Sequence, residues 1–211
     1  MGRLRTNPNA ATEIKLSPFL IQNTKTIGFK NNVILEIGCG KGDFIIENAL
    51  KFPENNYIGV EKYATVLLKA IKKISILTTP PTNIKFILGD FQEIYPDLKP
   101  HSITKIFLNF SDPWPKKHHE KFRLTNLVFL KMYHQLLIAD ALLEIKTDNV
   151  GLYEYSYNTL KDNKGVFDII DYCQDLYTNE KMMSDNIQTE YEKKFVLQNK
   201  KICKIVAKNK H

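Results

Sequence analysis

From Asn31 onward the chain alternates short, β-branched apolar runs with segments of helical periodicity. Val33–Ile37, Tyr57–Val60, Ile84–Leu88, Ile103–Phe110 and Ala141–Lys146 read as strands. Asp43–Lys51, Ala64–Ile74, Phe122–Leu137 and Gly151–Leu160 read as helices. Strands separated by helices need crossover connections, so the pattern implies βαβ units and a parallel sheet. Val166–Tyr172 and Phe195–Ala207 read as final strands with a polar loop between them. The expected fold is therefore α/β, with a mainly parallel sheet. Ligands of such sheets bind beyond the carboxyl ends of the strands. The residues at those ends thus carry the functional information.

Residues 1–30 show little periodicity and hold Arg3, Arg5, Pro8 and Pro18. They read as a basic N-terminal arm and lead-in, followed by a single domain over 31–211. A chain of 211 residues suits one core of that kind. The formal charge of +7 favours a polyanionic partner such as nucleic acid. Lysine carries nearly all of it, the arginines being Arg3, Arg5 and Arg123, each in a segment expected to touch RNA. Cys39, Cys173 and Cys203 are far apart and form no CxxC, which suits a reducing compartment. No apolar run approaches the roughly 18–20 residues that span a bilayer. The N-terminus has a basic start but no apolar stretch of a signal peptide. The expectation is a cytoplasmic protein with no membrane partner, monomer or homodimer.

Leu35-Glu36-Ile37-Gly38-Cys39-Gly40-Lys41-Gly42-Asp43 joins a strand to a helix. Glycines there permit a tight turn and let a ligand approach the backbone. The spacing is GxGxG rather than GxGxxG, and Asp43 stands where a dinucleotide loop places its third glycine. Glu36 precedes the loop, where it would repel a pyrophosphate. Glu61 ends the next strand in Ile58-Gly-Val-Glu61, and Asp90 ends Phe86-Ile-Leu-Gly-Asp90. A carboxylate at Glu61 can accept hydrogen bonds from both hydroxyls of a ribose, and Asp90 can meet an adenine amino group. Each acid alone would also serve as a helix cap. Together they suit a nucleoside that carries cationic groups, as S-adenosyl-L-methionine does with its sulfonium and ammonium.

The next strand end reads Asn109-Phe-Ser-Asp112-Pro-Trp114-Pro-Lys116 and contains the only tryptophan. Pro113 and Pro115 restrict φ and bias Asp112 and Trp114 toward extended geometry. Trp114 suits either stacking on a base or bracing the sheet edge. Lys116, Lys117, His118, His119, Lys121 and Arg123 follow as a cationic segment fit for phosphate contacts, which position a substrate without reading its sequence. His118-His119 lacks the spacing of a metal pair, and no metal is expected. Leu143-Glu144-Ile-Lys146-Thr-Asp148 ends the following strand with Asp148. Thr189-Glu190-Tyr191-Glu192 precedes the last apolar run, either as a capping motif or as a loop that holds a base.

LEIGCGKG, the Glu61 and Asp90 strand ends, NFSDPWPKKHH, EIKTDN and TEYEKKF together resemble the bacterial tRNA (guanine-N7-)-methyltransferase family from about residue 31 to the C-terminus. The resemblance implies a Rossmann-like S-adenosylmethionine-dependent methyltransferase fold, its mainly parallel sheet carrying a C-terminal antiparallel strand, and methylation of a variable-loop guanine in tRNA. By it, Glu36, Gly38, Gly40, Gly42, Glu61, Asp90 and Asp112 would bind cofactor or line the active site, with Asp112 the catalytic acid. Lys116, Asp148, Thr189, Tyr191 and Glu192 would bind substrate, and Lys117, His118, His119, Lys121 and Arg123 would touch RNA. One departure stands out. The family's basic segment is richer in arginine, whereas here Glu120 and Phe122 interrupt it. A same-fold methyltransferase acting on another RNA base or a small amine is the alternative reading.

Overall fold

The computed structural model describes residues 7–26 and 32–210. Arg3 and Arg5 lie outside the described residues. The chain divides in sequence between Leu98 and Lys99 into two compact units. The strand order is β3-β2-β1 within the first unit and β4-β5-β7-β6 within the second, numbered along the chain.

The first unit contains α1 (Ala10–Lys15), β1 (Val33–Ile37), α2 (Asp43–Lys51), β2 (Asn56–Glu61), α3 (Ala64–Ser75), β3 (Ile84–Leu88) and the single turn α4 (Phe91–Ile94). β2 pairs in parallel with both β1 and β3. All five residues of β1 are buried, as expected for a parallel strand covered on both faces. Leu67, Ala70, Ile71 and Ile74 repeat at helical spacing and form the buried stripe of α3.

The lead-in is more ordered than its weak periodicity suggests. Ala10 and Ile14 of α1 are fully buried. The Asn7 amide donates to Thr65 Oγ1 at 3.0 Å, and Lys72 of α3 pairs with Glu13 at 2.9 Å. Further on, the Ile21 amide donates to the Phe86 carbonyl and the Phe86 amide to the Phe19 carbonyl, each at 2.8 Å. This short stretch covers the outer edge of β3, which would otherwise expose unpaired backbone groups. A helix of six residues that buries only Ala10 and Ile14 has too little pattern to be read from sequence.

The second unit contains β4 (Ile103–Asn109), α5 (Leu127–Leu136), β5 (Leu137–Thr147), α6 (Val150–Asp162), β6 (Phe167–Cys173), the turn α7 (Glu180–Met183), α8 (Glu190–Val196) and β7 (Cys203–Asn209). β4 and β5 run parallel, while β7 is antiparallel to both β5 and β6. Cys203, Ile205, Ala207 and Asn209 of β7 are buried and alternate with half-buried residues.

Two expected elements change. The segment Phe122–Leu137 does not form one helix. Lys117–Phe122 is a 3₁₀ turn, and α5 starts only after Asn126, whose side chain caps it by accepting from the Val128 amide. Phe195 and Val196 belong to α8 rather than to the final strand. Thr189 and Glu192 form a reciprocal capping box that starts this helix. It ends with Asn199 at φ +55°, while the Lys200 amide reaches the Phe195 carbonyl and the Asn199 amide reaches Val196. That is the double closure of a left-handed C-terminal cap.

Gly42 caps α2 at φ +76°, and a Cβ there would lie 2.7 Å from the Cβ of Ala70 on α3. Gly42→Ala combines a left-handed backbone with overpacking, an expected loss of about 1–3 kcal/mol. At Gly165 a Cβ meets nothing within 4 Å, and Gly165→Ala is expected to be near neutral. Urea denaturation of the two variants checks this, and equal midpoints would refute the packing argument.

Candidate active site

In the first unit Glu61 bonds to the glycine loop and Glu36 directly precedes it. Gly38, Gly40 and Gly42 all have positive φ (+78°, +59° and +76°). The amides of Gly38 and Cys39 donate to the Val60 carbonyl at 2.8 and 3.0 Å, which folds the loop over the end of β2. Glu61 is buried there. Its Oε2 accepts from the Gly40 amide at 3.1 Å and its Oε1 from the Tyr63 amide at 2.9 Å. An ionised carboxylate has about four lone-pair sites, so two hydroxyl donors can still be accommodated. Glu36, inside β1, is 2% exposed.

Cys39 reports the local field. Burial pushes its thiol well above the usual range, and the charges of Glu36 and Glu61 push the same way. The thiol therefore stays protonated, and the two carboxylates that raise its pKa make the surroundings of the loop negative. Asp90 caps α4 through Oδ1, which accepts from the Gln92 amide at 3.0 Å. A Cβ at Gly38 or Gly40 would meet nothing within 4 Å, so the loop leaves open space beside its backbone. Open backbone, a ribose-competent carboxylate and a negative field fit the donor set that S-adenosylmethionine requires.

The second unit carries the remaining residues. Asp112 is exposed, three residues beyond β4. Its loop is not extended as the flanking prolines suggested, because Trp114 has φ +42° and Phe110 has φ +50°. Each left-handed residue costs roughly 1–2 kcal/mol. Tertiary contacts offset this. Phe110 stacks on Tyr191 of α8 with ring centres 6.4 Å apart and packs on Phe195 at 5.7 Å. Arg123 Nε and Nη2 donate to the carbonyls of Pro113 and Trp114, each at 3.0 Å. The Arg123 guanidinium lies 4.3 Å from the Tyr155 ring centre. Arg123 is thus turned inward, whereas Lys116, Lys117, His118 and Lys121 are exposed and His119 is half-buried. Trp114 packs against His119 and Phe122 at 5.5 and 5.3 Å.

Asp148 follows β5 directly, and its Oδ2 accepts from Lys200 at 2.9 Å. Lys200 also lies 4.4 Å from the Phe195 ring centre, so Asp148 joins the Phe110–Tyr191–Phe195 group. Tyr191 is half exposed. Thr189 is buried, its Oγ1 accepting from the Glu192 amide at 2.9 Å, and its hydroxyl proton remains available to donate.

Glu192 is fully buried. Its carboxylate accepts from Lys146 Nζ at 2.6 Å, Asn186 Nδ2 at 2.7 Å and Tyr177 Oη at 2.9 Å, with the Thr189 amide at 3.4 Å. With its oxygens committed in this way, Glu192 braces the segment and does not present itself to a base. Burial pushes the Tyr177 hydroxyl up to about 12, so it donates throughout the physiological range. Burial also lowers the Lys146 pKa, while Glu192 pulls it back up. Sequence reasoning passed over Lys146, yet its signal was present. A lysine in a buried strand needs a buried partner, and Lys146 lies between Ile145 and Thr147, both buried.

Among the described residues no group of His, Cys, Asp and Glu could hold a metal ion. No helix among them is long and apolar enough to cross a membrane.

The strand order, the antiparallel β7 and the acid-flanked glycine loop define an S-adenosylmethionine-dependent methyltransferase. A family model described as "Putative methyltransferase" matches residues 30–205. The chain is 44% identical over 216 residues to the tRNA (guanine-N(7)-)-methyltransferase of Ureaplasma urealyticum, with 96% of each chain covered. It is 41% identical over 207 residues to that of Mycoplasma genitalium, with 98% of each covered. A solved antibiotic-related methyltransferase superposes with a TM-score of 0.61 at 18% identity, covering 98% of this chain and 96% of the other. That last likeness bears on the fold alone. The chain belongs to the tRNA (guanine-N7-)-methyltransferase family.

Removing one partner of a buried ion pair leaves an uncompensated charge, at a cost of about 3–5 kcal/mol. Lys146→Met and Glu192→Gln should each destabilise by this amount. The double variant should lose clearly less than the sum of the two, as contacting residues do. Chemical denaturation of all four proteins measures the coupling. Strict additivity would mean that the pair does not act as one.

Proposed function

We propose that this chain transfers a methyl group from S-adenosylmethionine to N7 of a variable-loop guanine in tRNA, working in the cytoplasm, with residues 31–211 acting as one methyltransferase domain. The observation that carries this reading is identity of 44% along 96% of the chain to a tRNA (guanine-N(7)-)-methyltransferase. The acid-flanked glycine loop supports it independently, because it suits a cationic nucleoside.

When bound, S-adenosylmethionine supplies an electrophilic methyl on a positively charged sulfur. Glu61 holds the ribose hydroxyls and Asp90 the adenine edge. Glu36, with Gly38, Gly40 and Gly42, provides a negative and open backbone wall. Guanine N7 carries no proton at neutral pH, so no general base is needed to expose its lone pair. Catalysis then rests on positioning. Methylation leaves a cationic purine, and the Asp112 carboxylate stabilises the charge that develops. Asp148 and the Thr189 hydroxyl, beside the exposed Tyr191, hold the base. Lys116, Lys117, His118, His119 and Lys121 contact phosphates. The target base leaves its stack to enter.

The test combines purified protein, S-adenosylmethionine with a labelled methyl, and unmodified tRNA, followed by nucleoside analysis. Label is expected in N7-methylguanosine. Label in N1-methylguanosine, or in the protein, would overturn the substrate assignment. Asp112→Ala should lower turnover by roughly 10²–10³-fold, and full turnover would remove Asp112 from the mechanism. Glu61→Gln should weaken cofactor binding about 10–100-fold by calorimetry, the worth of hydrogen bonds to a charged acceptor. Unchanged affinity would take Glu61 out of the cofactor site.

A further inference from the structure

The cationic segment 116–123 contains one residue that the geometry sets apart. Arg123 points its fork at two successive carbonyl oxygens, those of Pro113 and Trp114, at 3.0 Å each. In an extended chain successive carbonyls point to opposite sides and cannot converge on one group. The φ of +42° at Trp114 turns the peptide so that they do converge. The guanidinium face is also covered, lying 4.3 Å from the ring centre of Tyr155 on α6. Tyr155 is itself tied down, its hydroxyl accepting from Asn126, the cap of α5, at 3.0 Å. The loop that carries Asp112 is thereby fastened to two helices through one side chain.

We propose that Arg123 is a positioning residue for the methyl-transfer reaction, clamping the Asp112–Lys116 loop in its left-handed shape, and not a phosphate contact. The proposal rests on the functional reading above for its effect on turnover, but not for the clamp itself. A planar fork that grips two acceptors and stacks on a ring is a task for arginine. Lysine offers a single point charge and cannot do all three. The tRNA-facing charge of this segment then falls to Lys116, Lys117, His118 and Lys121, each exposed, and to the half-buried His119. This accounts for how an arginine can persist where the basic run is broken by Glu120 and Phe122.

The test is Arg123→Lys, which keeps the charge and removes the fork. Trp114, the chain's only tryptophan, lies inside the clamped loop and reports on it without any substrate. Acrylamide quenching of its fluorescence should rise about twofold or more as the loop loosens. The kcat on tRNA should fall roughly 10–100-fold, the scale of a small misplacement near the chemistry. KM for tRNA should stay within about threefold, with an unchanged salt dependence of binding. Tyr155→Leu, which leaves Arg123 in place but removes its platform, should move quenching and kcat in the same direction. Circular dichroism confirms that both variants are folded.

Unchanged quenching or wild-type kcat in Arg123→Lys would overturn the proposal. So would a loss confined to KM in Arg123→Ala, with the slope of log affinity against log salt reduced by about 0.7–0.9, the signature of one lost phosphate contact. If the wild-type protein places no methyl on tRNA, the functional reading fails while the quenching experiment still decides the clamp.

Discussion

A parallel strand buried on both faces can hold charge cheaply only at its ends. That constraint organises this protein. β1 is buried along its whole length, as is most of β2, and Glu61 and Asp90 sit where β2 and β3 give way to loops. Asp148 stands in the same relation to β5. Desolvation of a lone carboxylate inside the sheet would cost several kcal/mol. At a strand end the backbone amides of adjoining turns meet part of that demand, as Gly40 of the glycine loop and Tyr63 of the turn after β2 do for Glu61. The chemistry of the site is thus placed where the fold can tolerate it.

Two buried charges break the pattern, Glu36 inside β1 and Lys146 inside β5, and the second unit is built around Lys146. It lies within β5 and is buried, and α8 is held against it through Glu192. The same carboxylate collects Tyr177 and Asn186, so three separate stretches of the 176–192 segment converge on one charged atom pair. Ion pairing of this kind adds little net stability compared with an apolar core. What it does supply is register. Thr189 and Tyr191 are placed by the helix that Glu192 anchors, and Tyr191 in turn stacks on Phe110 of the loop that carries Asp112.

That loop illustrates a second principle. Two non-glycine residues, Phe110 and Trp114, occupy left-handed backbone within five positions of one another. Strain of this sort persists only when surrounding contacts over-determine it. Here the contacts are named: an aromatic stack at Phe110 and an arginine fork at Trp114. The prolines on either side of Trp114 stiffen the loop, but they do not choose its shape.

The strands β1 to β5, the helices α2 and α3, and the acids at the strand ends were legible in the amino-acid order, because hydrophobic periodicity is a local property of that order. The capping box at Thr189–Glu192 was legible as a pattern too, but not its double use as cap and ion-pair partner. Helix α1 and the extent of α8 were not legible, since one depends on contacts with α3 and the other on a left-handed Asn199. The insertion of β7 between β5 and β6 is a long-range pairing that no window of residues encodes. Residue order alone specifies an α/β chain with an acid-flanked glycine loop and a cationic segment, because these are contiguous in the chain and follow from local periodicity. That Glu192 faces Lys146, and that Arg123 faces its own main chain, emerges only on folding. A side chain's partner is set by what packing brings within about 3 Å, and that is a property of the folded whole.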